Sequence, residues 1–293
     1  MTANTANSGN TANTANTGNA GTVGLTGDMG AWFIPDRVDL PFVTELDSGG
    51  NPLKDRRRTG LSIYPNRSWG ARWHAWLVLH EFIDAAGWKG PATSAVNLTW
   101  NAITPASTDV ELELLVDAAR DERSEALGEI LSQDVEFFSD YMALLGMTPG
   151  SHPQTYRSLH IASLIGAFVV LHFKGDKKRP RPSQLCPALR PPIPVPGHSS
   201  FPSGHSTQAH LMFRFVQLVL QSSAMPATDR PVIEENLLRL ARRVARNREI
   251  AGLHYRTDSD AGEALAGVIF TRLTTSASSL FTDAIGGAAT EWA

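Results

Sequence analysis

Cysteine is almost missing from this chain: Cys186 stands alone among 293 residues. No intrachain disulfide can form, and no zinc site built on cysteines can exist. A lone cysteine of this kind reads as a small apolar filler. A strong charge imbalance is missing too. The net charge of -3 gives no global attraction to nucleic acid or to an anionic membrane, so no nucleic-acid partner is expected. The first 25 residues lack both charge and any apolar run, being Thr-Ala-Asn units with Ser and Gly variants. Such a tract buries too little surface to offset its ordering entropy, so 1–25 is expected to be a disordered tail. It also lacks the basic start and apolar core of a secretory signal, and the chain reads as cytoplasmic. Long hydrophobic runs are scarce. The most apolar, Leu159 to Phe173, spans about 15 residues and holds His160 and His172. That is short of the roughly 20 residues a spanning helix needs, so a buried core helix and no transmembrane segment are expected.

What remains is ordinary globular material, 42% apolar and 19% charged. At this length it can bury a sizeable core, so 26–293 reads as a single helical domain. Residues 26–60 look irregular, with a short strand expected over Pro41–Leu46 and a turn over Asp47–Asn51. From Trp69 the period is helical. Trp69, Trp73, Trp76, Leu77, His80 and Ile83 share one face, which predicts a buried aromatic stripe. Thr108 to Glu111 predicts a capping box, opening a helical stretch to about Gly146 with one break. Further helices are predicted over about 154–174, 203–222, 230–250 and 257–274. Between Lys177 and Phe201 seven prolines exclude a helix and predict a long ordered loop. The fold class expected is all-α: a helical bundle with a long Pro-rich loop.

Three short pieces carry chemistry. Lys174 is followed by Arg181-Pro182, Pro202-Ser203-Gly204-His205 opens a helix, and Arg248 precedes His254 and Asp258. Ser203 is a natural N-cap, and the helix start behind it offers unpaired amides and a positive dipole end to an anion. Gly204 leaves room for close approach, and His205 sits on the first turn. Arg181, stiffened between prolines, suits bidentate contact with phosphate oxygens. Asp258, one helical turn beyond His254, can hold one ring N–H and leave the other nitrogen free. Each piece alone has an ordinary structural reading. Together they describe a pocket for a tetrahedral oxyanion.

In this order and spacing the three motifs resemble the superfamily joining type 2 phosphatidic acid phosphatases, bacterial nonspecific acid phosphatases and vanadium haloperoxidases. The resemblance covers Lys174 to Asp258. One departure is Asn247, where the family often has Ser before the last Arg. The resemblance implies a helical bundle of the acid phosphatase/vanadium haloperoxidase type. It implies that Lys174, Arg181 and Arg248 neutralise the oxyanion, and that Ser203 and the Gly204 amide donate to it. His254 would be the nucleophile toward phosphorus or, only if vanadate is bound, the ligand to the metal. His205 would be the general acid, and Asp258 would orient His254. The expected function is phosphoric ester hydrolysis on a small phosphorylated substrate, through a phosphohistidine and without a cofactor. The alternative is a vanadate-dependent haloperoxidase. His198, five residues before Ser203, falls where bromoperoxidases of the family have a His near the halide, so it is a candidate halide or substrate contact. A third reading is a non-catalytic anion-binding helical protein.

Overall fold

The computed structural model describes residues 49, 62–85, 87–276 and 279–292. The expected tail over 1–25 and the strand over Pro41–Leu46 lie outside them. The described residues are all-helical, with no strand among them. The helices are α1 (Ala71–Asp84), α2 (Lys89–Trp100), α3 (Pro105–Asp121), α4 (Arg123–Val135), α5 (Phe138–Leu145), α6 (Pro153–Lys177), α7 (Gly204–Ser222), α8 (Arg230–Ile250), α9 (Arg256–Thr275) and α10 (Ser279–Ala289). The Pro-rich loop between α6 and α7 holds one helical turn, Pro182–Leu185, and a 3-10 turn, Pro187–Leu189.

α7 is the axis of the bundle. It packs against α6, α8, α9 and α10. Its apolar residues point all round, and Ala209, Leu211, Met212, Phe215, Val216, Val219 and Leu220 are all fully buried. A helix that is apolar on every side must be surrounded. Truncating Phe215 to Ala is expected to cost about 3–5 kcal/mol, because neighbours on several helices cannot all collapse into the gap. α9 approaches α7 closely because of Gly262. A Cβ there would lie 2.8 Å from the Ser203 carbonyl oxygen and from the Ser206 Cβ. This contact sets the start of α7, and with it Ser203 and His205, against the start of α9.

Several boundaries follow from local chemistry. Pro105 and Pro153 stand in first turns, where a missing N–H costs nothing. α5 stops at Gly146, whose φ of +63° is the left-handed cap a glycine tolerates. The capping box before α3 is one turn earlier than predicted. Thr104 and Ser107 form it, with Ser107 N donating to Thr104 Oγ1 at 3.1 Å and Thr104 N to Ser107 Oγ at 2.8 Å. Glu111 is thereby freed from capping and turns inward.

Three expectations are corrected. The aromatic stripe of α1 is not buried: Trp73 is 58% exposed, Trp76 49% and Ile83 43%. α1 has two apolar stripes, and the one with smaller side chains, Ala75, Val78, Leu79 and Phe82, packs inward. Helical period alone does not choose between them. The expected absence of a span-length segment also fails. α6 with the turn after it, Pro153–Leu185, is 33 residues long, enough in length and apolar character to cross a membrane. Polar residues in and beside the run, such as Ser158 and Ser163, shorten the apolar string without ending the helix. Most of its apolar window is buried within the protein. Finally, the chain ends in α10, a helix not foreseen, which packs on α6 and α7.

Candidate active site

The three motifs meet. The end of α6, the Pro-rich loop, the start of α7, the end of α8 and the start of α9 bring Lys174, Arg181, Ser203, His205, Arg248, His254 and Asp258 into one buried cluster. Each is at most 3% exposed. Burying this many ionisable groups costs free energy unless they are paired, so their partners define the site.

Lys174, in the last turn of α6, donates to the carbonyls of Ser199 at 2.8 Å and Ser200 at 2.6 Å. An ammonium has a third hydrogen to give. Arg181 donates from Nε to His198 O at 3.1 Å and from Nη1 to Leu253 O at 2.9 Å. Its Nη1 also lies 3.1 Å from His254 Nε2. A guanidinium has no acceptor, so Nε2 must be the accepting nitrogen and the ring proton sits on Nδ1. Nδ1 is 3.1 Å from Asp258 Oδ2, which takes that proton as a hydrogen bond. His254 is therefore held with its Nε2 lone pair facing the cations.

Asp258 is clamped on both oxygens. Oδ2 also accepts from the Tyr255 amide at 3.1 Å and from the Ser200 hydroxyl, and Oδ1 accepts from Arg179 Nη1 at 2.7 Å. Burial pushes its carboxyl up, but the bond from His254, the Arg179 charge and the Ser200 hydroxyl outweigh it. Asp258 is held well below the usual carboxylate range.

The opposite wall is less complete. Arg248 donates from Nη2 to Asp134 Oδ1 at 3.1 Å, while its buried Nε and Nη1 have no hydrogen-bond partner among the described residues. His205 Nε2 lies 3.0 Å from Gln133 O, so Nε2 carries the proton, and its buried Nδ1 likewise has no partner there. Burial, then the Arg248 charge, with His254 and Arg181 adding, hold His205 far below the ordinary histidine value. Burial, then Arg181, do the same to His254. Without an anion both imidazoles are neutral. Ser203 caps α7, its Oγ accepting from Ser206 N at 3.3 Å, and its backbone N donates to Asp258 O at 2.9 Å. Gly204 opens the helix with only Val170 near its missing Cβ.

His198 stands at the rim. Its Nδ1 is 3.0 Å from Arg181 Nη2, and burial followed by Lys174 and Arg181 lowers its pKa to about 4. Asn247, the departure noted in the sequence, donates to Gln133 Oε1 at 3.0 Å and Glu129 Oε2 at 2.9 Å. It ties α8 to α4 rather than facing the cluster.

Sequence reasoning missed four contributors. Ser200, Gln133, Asp134 and the Arg179–Glu111 pair each hold a member of the cluster. One signal was readable: Glu111 lies on the buried stripe of α3 with Leu115 and Ala118, where an acid needs a partner.

No family model and no curated protein matches this chain. Among solved structures, it is similar to a transmembrane PAP2-type phosphatidylglycerolphosphate phosphatase from Bacillus subtilis. Identity is 16% and the TM-score 0.33, covering 69% of this chain and 94% of that one. That protein is transmembrane by description. In this chain itself, the span-length segment Pro153–Leu185 corrects the expected lack of a transmembrane segment, and with it the cytoplasmic assignment that rested on that lack.

Proposed function

We propose that the protein is a phosphoric ester hydrolase that works through a phosphohistidine on His254. The observation carrying this reading is the set of unspent buried groups: Arg248 Nε and Nη1 and His205 Nδ1, without partners among the described residues, in the same cluster as the oriented His254. Buried polar atoms left unpaired cost free energy, and a bound oxyanion relieves it by accepting from the two Arg248 nitrogens and from His205 Nδ1 once that nitrogen takes up a proton.

Lys174, Arg181 and Arg248 neutralise the three equatorial oxygens, with Ser203 and the Gly204 amide adding donors. The Nε2 lone pair of His254 attacks phosphorus in line with the leaving oxygen. Asp258 holds the Nδ1 proton, so the ring carries its new positive charge beside a carboxylate. The P–O ester bond breaks, and His205 Nδ1–H protonates the departing oxygen. Water then attacks the P–N bond, His205 Nδ1 accepts its proton, and Nε2 regains its lone pair. His205 is neutral before substrate arrives. The phosphate's negative charge reverses the field of Arg248 at Nδ1, so binding of the dianion takes up a proton.

Hydrolysis of an aryl phosphate by wild type and by the His254→Ala variant tests this reading. Brisk turnover by wild type alone is expected, and equal rates would end it. Phosphate-dependent thermal stabilisation with no turnover would favour a plain anion-binding protein.

A second reading uses the same residues. The donor set also fits vanadate, which His254 would ligate and the three cations would neutralise, and His198 beside Arg181 stands where a halide could be held. Bound vanadate supplies activation of peroxide for halide oxidation. Bromination of a phenol dye after vanadate loading would support it, and its absence beside brisk phosphatase turnover would count against it.

A further inference from the structure

Arg179 belongs to none of the three motifs, yet it is 4% exposed and makes more bonds than any motif cation needs for an oxyanion. Its Nη1 donates to Asp258 Oδ1 at 2.7 Å and to Thr257 Oγ1 at 2.7 Å. Its Nη2 donates to Glu111 Oε2 at 3.0 Å. The guanidinium lies 3.6 Å over the Tyr255 ring. Its backbone carbonyl accepts from Ser200 N at 2.9 Å, and Ser200 in turn donates to Asp258. Glu111 is fixed as well, accepting from Thr257 N at 2.8 Å and Thr257 Oγ1 at 2.9 Å.

We propose that Arg179, clamped between Glu111 of α3 and Asp258 of α9, is a positioning residue that holds Asp258 against His254 Nδ1 and so, together with Arg181 at Nε2, keeps the ring proton on Nδ1. The kinetic half of the inference rests on the reading of His254 as nucleophile, the placement of the ring proton does not, and both reach outward to a helix no motif touches.

The argument runs through the two oxygens of Asp258. Oδ2 takes the bonds from His254 Nδ1, Ser200 and Tyr255 N. Arg179 is the side chain bound to Oδ1. It stops rotation about the Cβ–Cγ bond, which would swing Oδ2 away from the imidazole. It also removes negative charge from a carboxylate that must accept the Nδ1 hydrogen without taking the proton. The pair is buried, so its coupling is not screened by solvent. Glu111 keeps the guanidinium from turning inward to join Arg181 and Arg248 in the oxyanion pocket. Lysine cannot do all of this: a point ammonium lacks the planar fork that spans two carboxylates.

A purely structural Arg179 would fasten α3 to the loop and leave the chemistry of His254 untouched. The two roles separate in Arg179→Met and Arg179→Lys, both read by 15N shifts of the His254 ring in the full chain and by turnover of an aryl phosphate. Wild type is expected to hold the Nδ1–H tautomer. In Arg179→Met the freed carboxylate lets the ring turn off Arg181, so Nε2–H should become populated, and kcat should fall roughly 10–100-fold with KM within about twofold, the size of loss expected when an outer partner that orients a histidine is removed. Arg179→Lys should recover part of both. A folded Arg179→Met with wild-type tautomer and wild-type kcat overturns the proposal. Should Arg179→Met fail to fold, Arg179→Lys and Glu111→Gln carry the comparison, and an unchanged tautomer in both overturns it equally. The ring measurement needs no turnover. An inactive wild type whose tautomer still follows Arg179 would sink the phosphatase reading and sustain this one.

Discussion

The two walls of the cluster differ in how completely they are satisfied. On the α9 side every polar atom of His254 and Asp258 is bonded: Nδ1 to Asp258, Nε2 facing Arg181, and both carboxylate oxygens to donors. On the α8 side Arg248 has two nitrogens and His205 one without partners among the described residues. The first wall is preorganised and needs nothing. The second is costly until something anionic arrives. The contrast marks the α8 side as the place where an anion's charge would be received. Arg181 Nη1 lies against His254 Nε2, and an anion that drew it away would free that lone pair.

The largest effect should come from the complete wall. His254→Ala is expected to cut phosphate-ester turnover by at least ~10³-fold while keeping phosphate binding, since the cations remain. Steady-state rates and a phosphate thermal-shift titration check both halves of that statement. A mutant that lost binding as well would erase the contrast between the walls.

Arg248→Met probes the incomplete wall. Turnover should fall by about 10²–10³-fold, the usual loss for one donor to a developing oxyanion. Thermal stability without phosphate should rise, because a buried guanidinium with unpaired nitrogens is replaced by an apolar side chain and Asp134, partly exposed, stays hydrated. The phosphate-induced stabilisation should shrink. A lower melting temperature in the phosphate-free variant would contradict the account of this wall.

His205→Ala should lose about 10²-fold with alkyl phosphates and much less with nitrophenyl phosphate, whose leaving group needs little protonation. Comparing the two substrates in one variant isolates the acid role from packing against Phe137, whose ring centroid is 5.2 Å away.

His74 sharpens the contrast from outside the site. It is buried, both ring nitrogens lack partners among the described residues, and burial followed by the Arg157 charge lowers its pKa to about 4. Unfolded, it titrates near 6.5. Below that value the unfolded chain takes up a proton the folded one refuses, so stability falls as pH drops from about 6.5 to about 4, then levels. His74→Phe should reduce the slope of this part of a melting-temperature profile by one histidine's share, a difference that phosphate should leave unaffected, while His160, His198, His205 and His254 keep the rest. The smallest effect is expected at Trp73→Ser. The side chain is more than half exposed, so turnover should be unchanged and stability should move by less than about 0.5 kcal/mol.

Much of the site was legible because its chemistry is tied to local spacing. An N-cap Ser before Gly-His, a carboxylate one turn after an imidazole, and an Arg fixed between prolines each announce a geometry within a few residues. The helices were legible for the same reason, and α8 runs over Arg230–Ile250 as its period predicted. What was not legible depends on distant packing. Which stripe of α1 faces inward is decided by α6, not by α1. Glu111 and Arg179 are 68 residues apart, and no local signal joins them. Asp134 is one acid among many on a charged helix, and only the packing of α8 on α4 sets it against Arg248. The span-length character of Pro153–Leu185 was hidden because polar residues such as Ser158 and Ser163 break its apolar string.

The most direct test of the central claim is to quench the enzyme during turnover of a labelled phosphate ester and locate the phosphate by mass spectrometry. An acid-labile phosphoryl group on His254, absent from His254→Ala, is the predicted result. Turnover without any label on His254, or with the label on another residue, would contradict it.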